Sequence, residues 1–269
     1  MSWSLSAAAV MAGLGALGGS GVPALIQRIP EPEPEPDAAL EPAPERAPAT
    51  EHDTDVPVSL SEPPETDAVD ATDEPKEPYA EIARTPGLLL RAVLASAVIG
   101  GLIGARLGWS PALMLAAYLV PVGVALSVVD WRTRLLPTWV IAPSYGVVAV
   151  LAVAAAALEG DWDDLARAGW GWLVAGGLFF LMWVIYPAGM GYGDVRLSGI
   201  LGIALGYVGW SELLTGLFAA FLLGGLGGGL LSVLRIVDRK SYPFGPFMLL
   251  GAVVGVLAGP AVAAVYAVP

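Results

Sequence analysis

Apolar runs recur along this chain from Leu88 to the C-terminus, and several approach the roughly 20 residues that an α-helix needs to cross a bilayer's hydrocarbon core. Few arrangements other than a set of membrane helices hold so many such runs in 269 residues. Charge agrees. Only 14% of residues are charged, where a soluble domain usually carries about 25%.

The candidate spans are Ser4–Ile26, Leu88–Leu107, Pro111–Val129, Thr138–Leu158, Gly169–Tyr186, Val195–Val208, Leu213–Ile236 and Phe247–Val268. The expected fold class is therefore all-α, a polytopic membrane bundle of about eight helices. The Val195–Val208 run is short and glycine-rich, which leaves its depth in the membrane the least defined. Ser4–Ile26 lacks the basic opening of a secretory signal peptide and reads as a first membrane helix. Small residues at helical spacing, such as Gly100 with Gly104, or Gly251, Gly255 and Gly259, favour close helix packing in lipid.

Between the first two spans the composition changes abruptly. Of the 25 acidic residues, 17 lie between Glu31 and Glu81, where Pro alternates with Glu in EPEPEP. A segment so charged and so poor in apolar side chains buries too little surface to offset its ordering entropy. The chain accordingly divides into residues 1–28 (first membrane helix), 29–86 (a disordered, acidic, Pro/Glu-rich cytoplasmic loop) and 87–269 (the membrane-embedded core). The net charge of −12 belongs to that loop, and no basic patch points to nucleic acid.

Orientation follows from the cations. With the acidic tract inside, eleven of the 13 Lys and Arg residues fall in or beside cytoplasmic segments, and only Arg106 and Arg167 fall outside. Trp109, Trp162, Trp170 and Trp210 then lie at the outer interface, and both termini are external.

Absences narrow the chemistry. There is no cysteine, and the one histidine, His52, sits in the acidic tract. A thiol nucleophile, a cysteine zinc site, a Ser-His triad and a multi-histidine metal centre are all excluded. Carboxylates remain. Glu159, Asp161, Asp163 and Asp164 read as solvated residues of an outer turn, Glu212 as a helix-opening acid, and Asp238 as a partner of Arg239 and Lys240.

Asp130 and Asp194 are different, because both fall at the cytoplasmic membrane face, where acids are costly and usually functional. A helix cap, or an ion pair with Arg132 or Arg196, accounts for either one alone. Brought together, two carboxylates suit peptide hydrolysis. Like charges resist double ionisation, so the pair shares one proton; one member takes a proton from water while the other donates to the scissile carbonyl. Glycines at 189, 191 and 193 leave backbone exposed beside Asp194.

These motifs resemble the type IV prepilin peptidases, polytopic aspartyl proteases with a GxGD signature. Asp130 and Pro137 stand in DWRTRLLP at the family's Asp-to-Pro spacing, and Gly191, Gly193 and Asp194 stand in GYGDVRL. The family's PFGP stretch is Pro243, Phe244, Gly245 and Pro246, and GLGALGGSGVPALIQRIP is similar to its glycine-rich first helix. The resemblance implies that Asp130 and Asp194 are the catalytic aspartates, with Pro137, Gly191, Gly193 and Pro243–Pro246 supporting substrate binding. It implies cleavage of the short basic leader from type IV prepilins or pseudopilins at the cytoplasmic face of a bacterial plasma membrane, without metal or other cofactor. The cysteine-bearing domain that many relatives carry after the first helix is replaced here by the acidic tract, which argues against N-methyltransferase activity. The competing readings are a proton-coupled transporter using the two acids as relays, and a catalytically silent scaffold of a pilus or secretion machine.

Overall fold

The structure, a computed structural model, describes residues 3–31, 77–187, 190–233 and 243–266. By its internal contacts the chain divides into two units, Met1–Pro30 with Glu77–Pro269, and Glu31–Lys76. The acidic tract expected to be disordered lies, from residue 32 to 76, outside the described residues. So do Gly189 and the loop with Arg235, Asp238, Arg239 and Lys240.

Among the described residues the regular structure is helical: α1 (Leu5–Ser20), α2 (Val22–Gln27), α3 (Tyr79–Ala83), α4 (Leu88–Leu107), α5 (Leu113–Thr133), α6 (Thr138–Glu159), α7 (Asp163–Ile185), α8 (Tyr192–Val208), α9 (Trp210–Val233) and α10 (Gly245–Tyr266). Among the described residues, seven segments are long and apolar enough to cross a membrane: α1 with α2, then α4, α5, α6, α7, the Trp210–Gly227 part of α9, and α10. The protein is a multi-pass membrane protein with an all-α body.

The eighth expected span is α8. Its 17 residues rise only about 25 Å, short of the roughly 30 Å hydrocarbon core. It is buried on most of its surface, from Asp194 to Tyr207, and it packs against α6, α7, α9 and α10. A helix wrapped by others need not match the lipid thickness.

Local signals explain the ends. Ser4 caps α1 by accepting the Ala7 N–H, which satisfies one of the helix's orphan donors. Gly21 and Pro23 separate α1 from α2, proline being tolerated where a first-turn N–H has no partner anyway. Asp163 and Asp164 open α7, six residues earlier than the expected Gly169, because carboxylates favour the positive end of the helix dipole.

Three antiparallel pairs dominate the packing: α1 with α4, α7 with α8, and α9 with α10. Glycines set the spacing. A methyl group at Gly100 would stand 2.6 Å from the Met11 carbonyl oxygen, and one at Gly104 would stand 2.6 Å from that of Ala7. A side chain at either position forces α1 and α4 apart and forfeits the dispersion contacts that hold helices together in lipid.

Successive spans alternate in direction, which brings the end of α2, the start of α4, the α5–α6 turn, the end of α7, the start of α8 and the start of α10 to one end of the bundle. The short helix α3 sits at that end. Tyr79 and Ile82, three residues apart and so on one face, are buried against a cluster with Val22, Ile26 and Leu88. Residues 77–86, assigned to the loop by composition, are thus folded onto the bundle.

At the other end the acids of the 159–164 turn are engaged. Glu159 accepts hydrogen bonds from Tyr207 Oη at 2.8 Å and from Ser110 Oγ at 3.3 Å. Asp164 pairs with Arg167 at 2.6 Å. Arg167 also donates to the Gly206 and Tyr207 carbonyls at 2.7 Å, which fastens the C-terminal end of α8 to α7. The reading of these acids as merely solvated missed this role.

Candidate active site

Asp130 lies in the last turn and a half of α5, which continues to Thr133. Only 4% of the residue is exposed. Its Oδ2 accepts the backbone N–H of Gly245, the first residue of α10, at 2.9 Å. That N–H is one of the donors a helix start leaves without an internal partner, so Asp130 caps α10 across 115 residues of sequence. A methyl group at Gly245 would stand 2.8 Å from the same oxygen. Glycine is what admits the carboxylate.

The rest of the PFGP stretch holds Gly245 in place. Pro243 is buried. The Phe244 ring packs among Phe179 and Phe221, with ring centres 6.0 and 6.1 Å away, and it touches Gly224 of α9. Pro246 occupies the second position of α10, where its missing N–H costs nothing.

Asp194 occupies the first turn of α8, with Gly191 as the N-cap residue, and is 9% exposed. The Asp194 N–H donates to the Gly191 carbonyl at 3.0 Å. Gly191 lies so close to the carboxylate that a methyl group there would stand 3.4 Å from Asp194 Oδ2.

Leu136 joins the two halves. A methyl at Gly193 would stand 2.7 Å from Leu136 Cβ, and one at Gly245 would stand 3.4 Å from Leu136 Cδ2. One side chain therefore touches both the neighbour of Asp194 and the residue bonded to Asp130. Asp130 and Asp194 are thus each tied to Leu136 through one intermediate residue, Gly245 and Gly193.

The turn carrying Leu136 is built for that position. Arg134 adopts a left-handed conformation, φ 56°, and returns its N–H to the Asp130 carbonyl at 2.8 Å. Thr133 Oγ1 accepts the Leu135 N–H at 3.3 Å. Buried Pro137 then ends the turn as the N-cap residue of α6. The seven-residue spacing from Asp130 to Pro137 is the length of this reversal.

Neither nearby arginine neutralises the acids. Arg132 pairs with Glu77 at 2.8 Å. Arg196 donates to Thr138 Oγ1 and lies 5.0 Å from the Tyr192 ring centre. Among the described residues, the ion-pair account of Asp130 and Asp194 has no contact to support it. The capping account holds in a specific sense for Asp130, which caps α10 rather than its own helix.

All nine residues singled out from the sequence fall at this one end of the bundle. Sequence reasoning missed three supports. Leu136 looks like an ordinary apolar residue. Tyr145, in α6, donates to the Arg196 carbonyl at 2.7 Å through the space that Gly199 leaves. Glu77, in the acidic tract, fastens Arg132. Each depends on a long-range contact that no local pattern announces.

Comparison with known proteins adds a family. No curated protein and no solved structure matches the chain. Residues 117–229 match the model of the type IV leader peptidase family, a stretch that holds both aspartates, Pro137, Gly191 and Gly193 and stops before Pro243–Pro246. Over that region, less than half of its length, the chain is similar to the type IV leader peptidase family.

Proposed function

We propose that the chain is an aspartyl endopeptidase in which Asp130 and Asp194 act as one catalytic pair, removing the short basic leader from type IV prepilins or pilin-like secretion proteins. The observation that carries the reading is that two buried acids from separate helices are tied to one side chain, Leu136, Asp130 through its bond to Gly245 and Asp194 through its neighbour Gly193.

The chemistry runs as general acid and base. Two close carboxylates in a water-poor pocket hold a single proton between them. The ionised member takes a proton from a water molecule, whose oxygen attacks the scissile carbonyl carbon. The protonated member donates to the carbonyl oxygen, giving a neutral gem-diol. Collapse breaks the C–N bond as the proton moves to the leaving amine, and the pair returns to its starting state. The Gly245 N–H holds Asp130 Oδ2 throughout, and the glycine at 191 leaves room beside Asp194 for an extended peptide.

The aspartate end faces the cytoplasm of a bacterial plasma membrane in this proposal. Among the described residues, Arg28, Arg84, Arg91, Arg132, Arg134 and Arg196 fall at that end, against Arg106 and Arg167 at the other, as the positive-inside rule favours. The mechanism needs no metal, and N-methylation is no part of it. The test is incubation of the purified protein with candidate prepilins and pseudopilins from the same genome, with products read by mass. Cleavage once, at the junction of leader and hydrophobic helix, is expected. Intact precursors with every candidate favour a transporter or scaffold.

A further inference from the structure

A cavity of about 490 Å³ opens between α4, α5 and α10, with α8 as its floor. Along α4 its lining runs from Leu88 to Leu107, which at 1.5 Å per residue is about 30 Å, the full hydrocarbon depth. Spread over that length, and with a water radius of about 1.4 Å added on each side, the volume corresponds to a slot about 7 Å between its walls. A helix with side chains is about 10 Å across and does not enter such a slot. A hydrocarbon chain does, since non-bonded carbons pack at about 4 Å.

The slot is apolar along most of its length, and its charged lining residues, Arg91 and Arg132, both lie at the aspartate end. Arg132 is engaged by Glu77. Arg91 is exposed at the mouth and has no ion-pair partner among the described residues. Thr85 stands beside it with a hydroxyl. An apolar slot of bilayer depth with a cation at its mouth matches one amphiphile: a long acyl chain below, an anionic phosphate above.

We propose that this slot is a binding site for an anionic phospholipid, one acyl chain filling it and the phosphodiester on Arg91. The site goes beyond the peptidase reading, yet it borders the catalytic pair. Val128 and Trp131, which flank Asp130 on α5, line the slot, as does Pro246, the residue after Gly245. An occupant wedged between α5 and the start of α10 braces the two elements that the Asp130–Gly245 bond connects.

The experiment uses the full chain in phosphatidylcholine nanodiscs doped with phosphatidylglycerol or phosphatidylcholine carrying a photoreactive group in mid-chain. Labelled residues are mapped by mass spectrometry, a readout independent of peptidase activity. Label is expected on slot-facing Ala95 and Ala116 in preference to Leu94 and Val98, which are exposed at 55% and 59% on the outer face of α4. The phosphatidylglycerol probe is expected to label about tenfold more than phosphatidylcholine, the worth of one charge-assisted contact, and Arg91→Ala is expected to erase that difference. Filling the slot with Ala95→Phe and Ala116→Phe is expected to remove the label. If that variant fails to fold, Arg91→Ala still decides, because its side chain lies outside the packed core. Equal labelling of slot and outer face means ordinary surrounding lipid and overturns the proposal. Displacement of the label by a precursor's hydrophobic helix also overturns it and assigns the slot to substrate.

Discussion

The backbone N–H of Gly245 donates to the Asp130 carboxylate at 2.9 Å, joining the start of the last helix to the end of α5. This bond fixes one oxygen of the buried acid. It also gives the PFGP stretch a physical role. Proline and phenylalanine seat the turn, glycine presents the donor, and the second proline starts the helix.

Gly245→Ala places a methyl 2.8 Å from Asp130 Oδ2 and 3.4 Å from Leu136 Cδ2. The carboxylate has to move, and a misplacement near 1 Å costs on the order of 100-fold in rate. Single-turnover cleavage of a precursor is expected to fall by that order, with near-normal yield of folded protein. An unchanged rate contradicts the assigned role of the bond.

Gly193→Ala is blocked by a different atom, the Leu136 Cβ at 2.7 Å. Shortening Leu136 to alanine keeps that atom, so Leu136→Ala is not expected to rescue Gly193→Ala. At Gly245 the blocking atom is Asp130 Oδ2 at 2.8 Å, while Leu136 Cδ2 at 3.4 Å is in ordinary contact, so Leu136→Ala is not expected to rescue Gly245→Ala either. Cleavage rates of the two double variants check this, and rescue of either contradicts the placement of Leu136.

At the far end, Arg167 holds the Gly206 and Tyr207 carbonyls with its guanidinium fork. Lysine carries the charge but not the fork. Arg167→Lys leaves part-buried carbonyls without a donor, a loss of about 1–3 kcal/mol. Thermal unfolding of the purified protein is expected at lower temperature, while the pH profile of cleavage keeps its shape because the acids lie at the other end of α8. A changed profile with unchanged stability reverses the assignment.

A pair that works with one proton has a defined pH response. At low pH both carboxyls are protonated and no base remains; at high pH both are ionised and no acid remains. The rate of cleavage is expected to be bell-shaped, with two apparent values that belong to the pair and not to either residue. A profile that rises to a plateau and stays there contradicts the shared-proton mechanism.

The helices were legible because apolar runs of bilayer length have few other uses, and the acids because charge near such runs needs a reason. What stayed hidden is long-range. The partner of Asp130 is 115 residues away, so Gly245 was readable as part of a motif but not as a donor. Leu136 and Tyr145 carry no local mark that separates them from core residues. Tyr79 and Ile82 did carry one, a helical spacing, but the composition of the acidic tract masked it. The start of α7 was misplaced because Asp163 and Asp164 were read as turn residues when they were also the signal of a helix opening.

The most direct measurement is single-turnover cleavage of one precursor by the purified wild type, Asp130→Asn, Asp194→Asn and the double variant. Residues that act as a unit are strongly non-additive, so each single change is expected to abolish cleavage as fully as both together, with unfolding temperatures close to wild type. Substantial cleavage by either single variant contradicts the account.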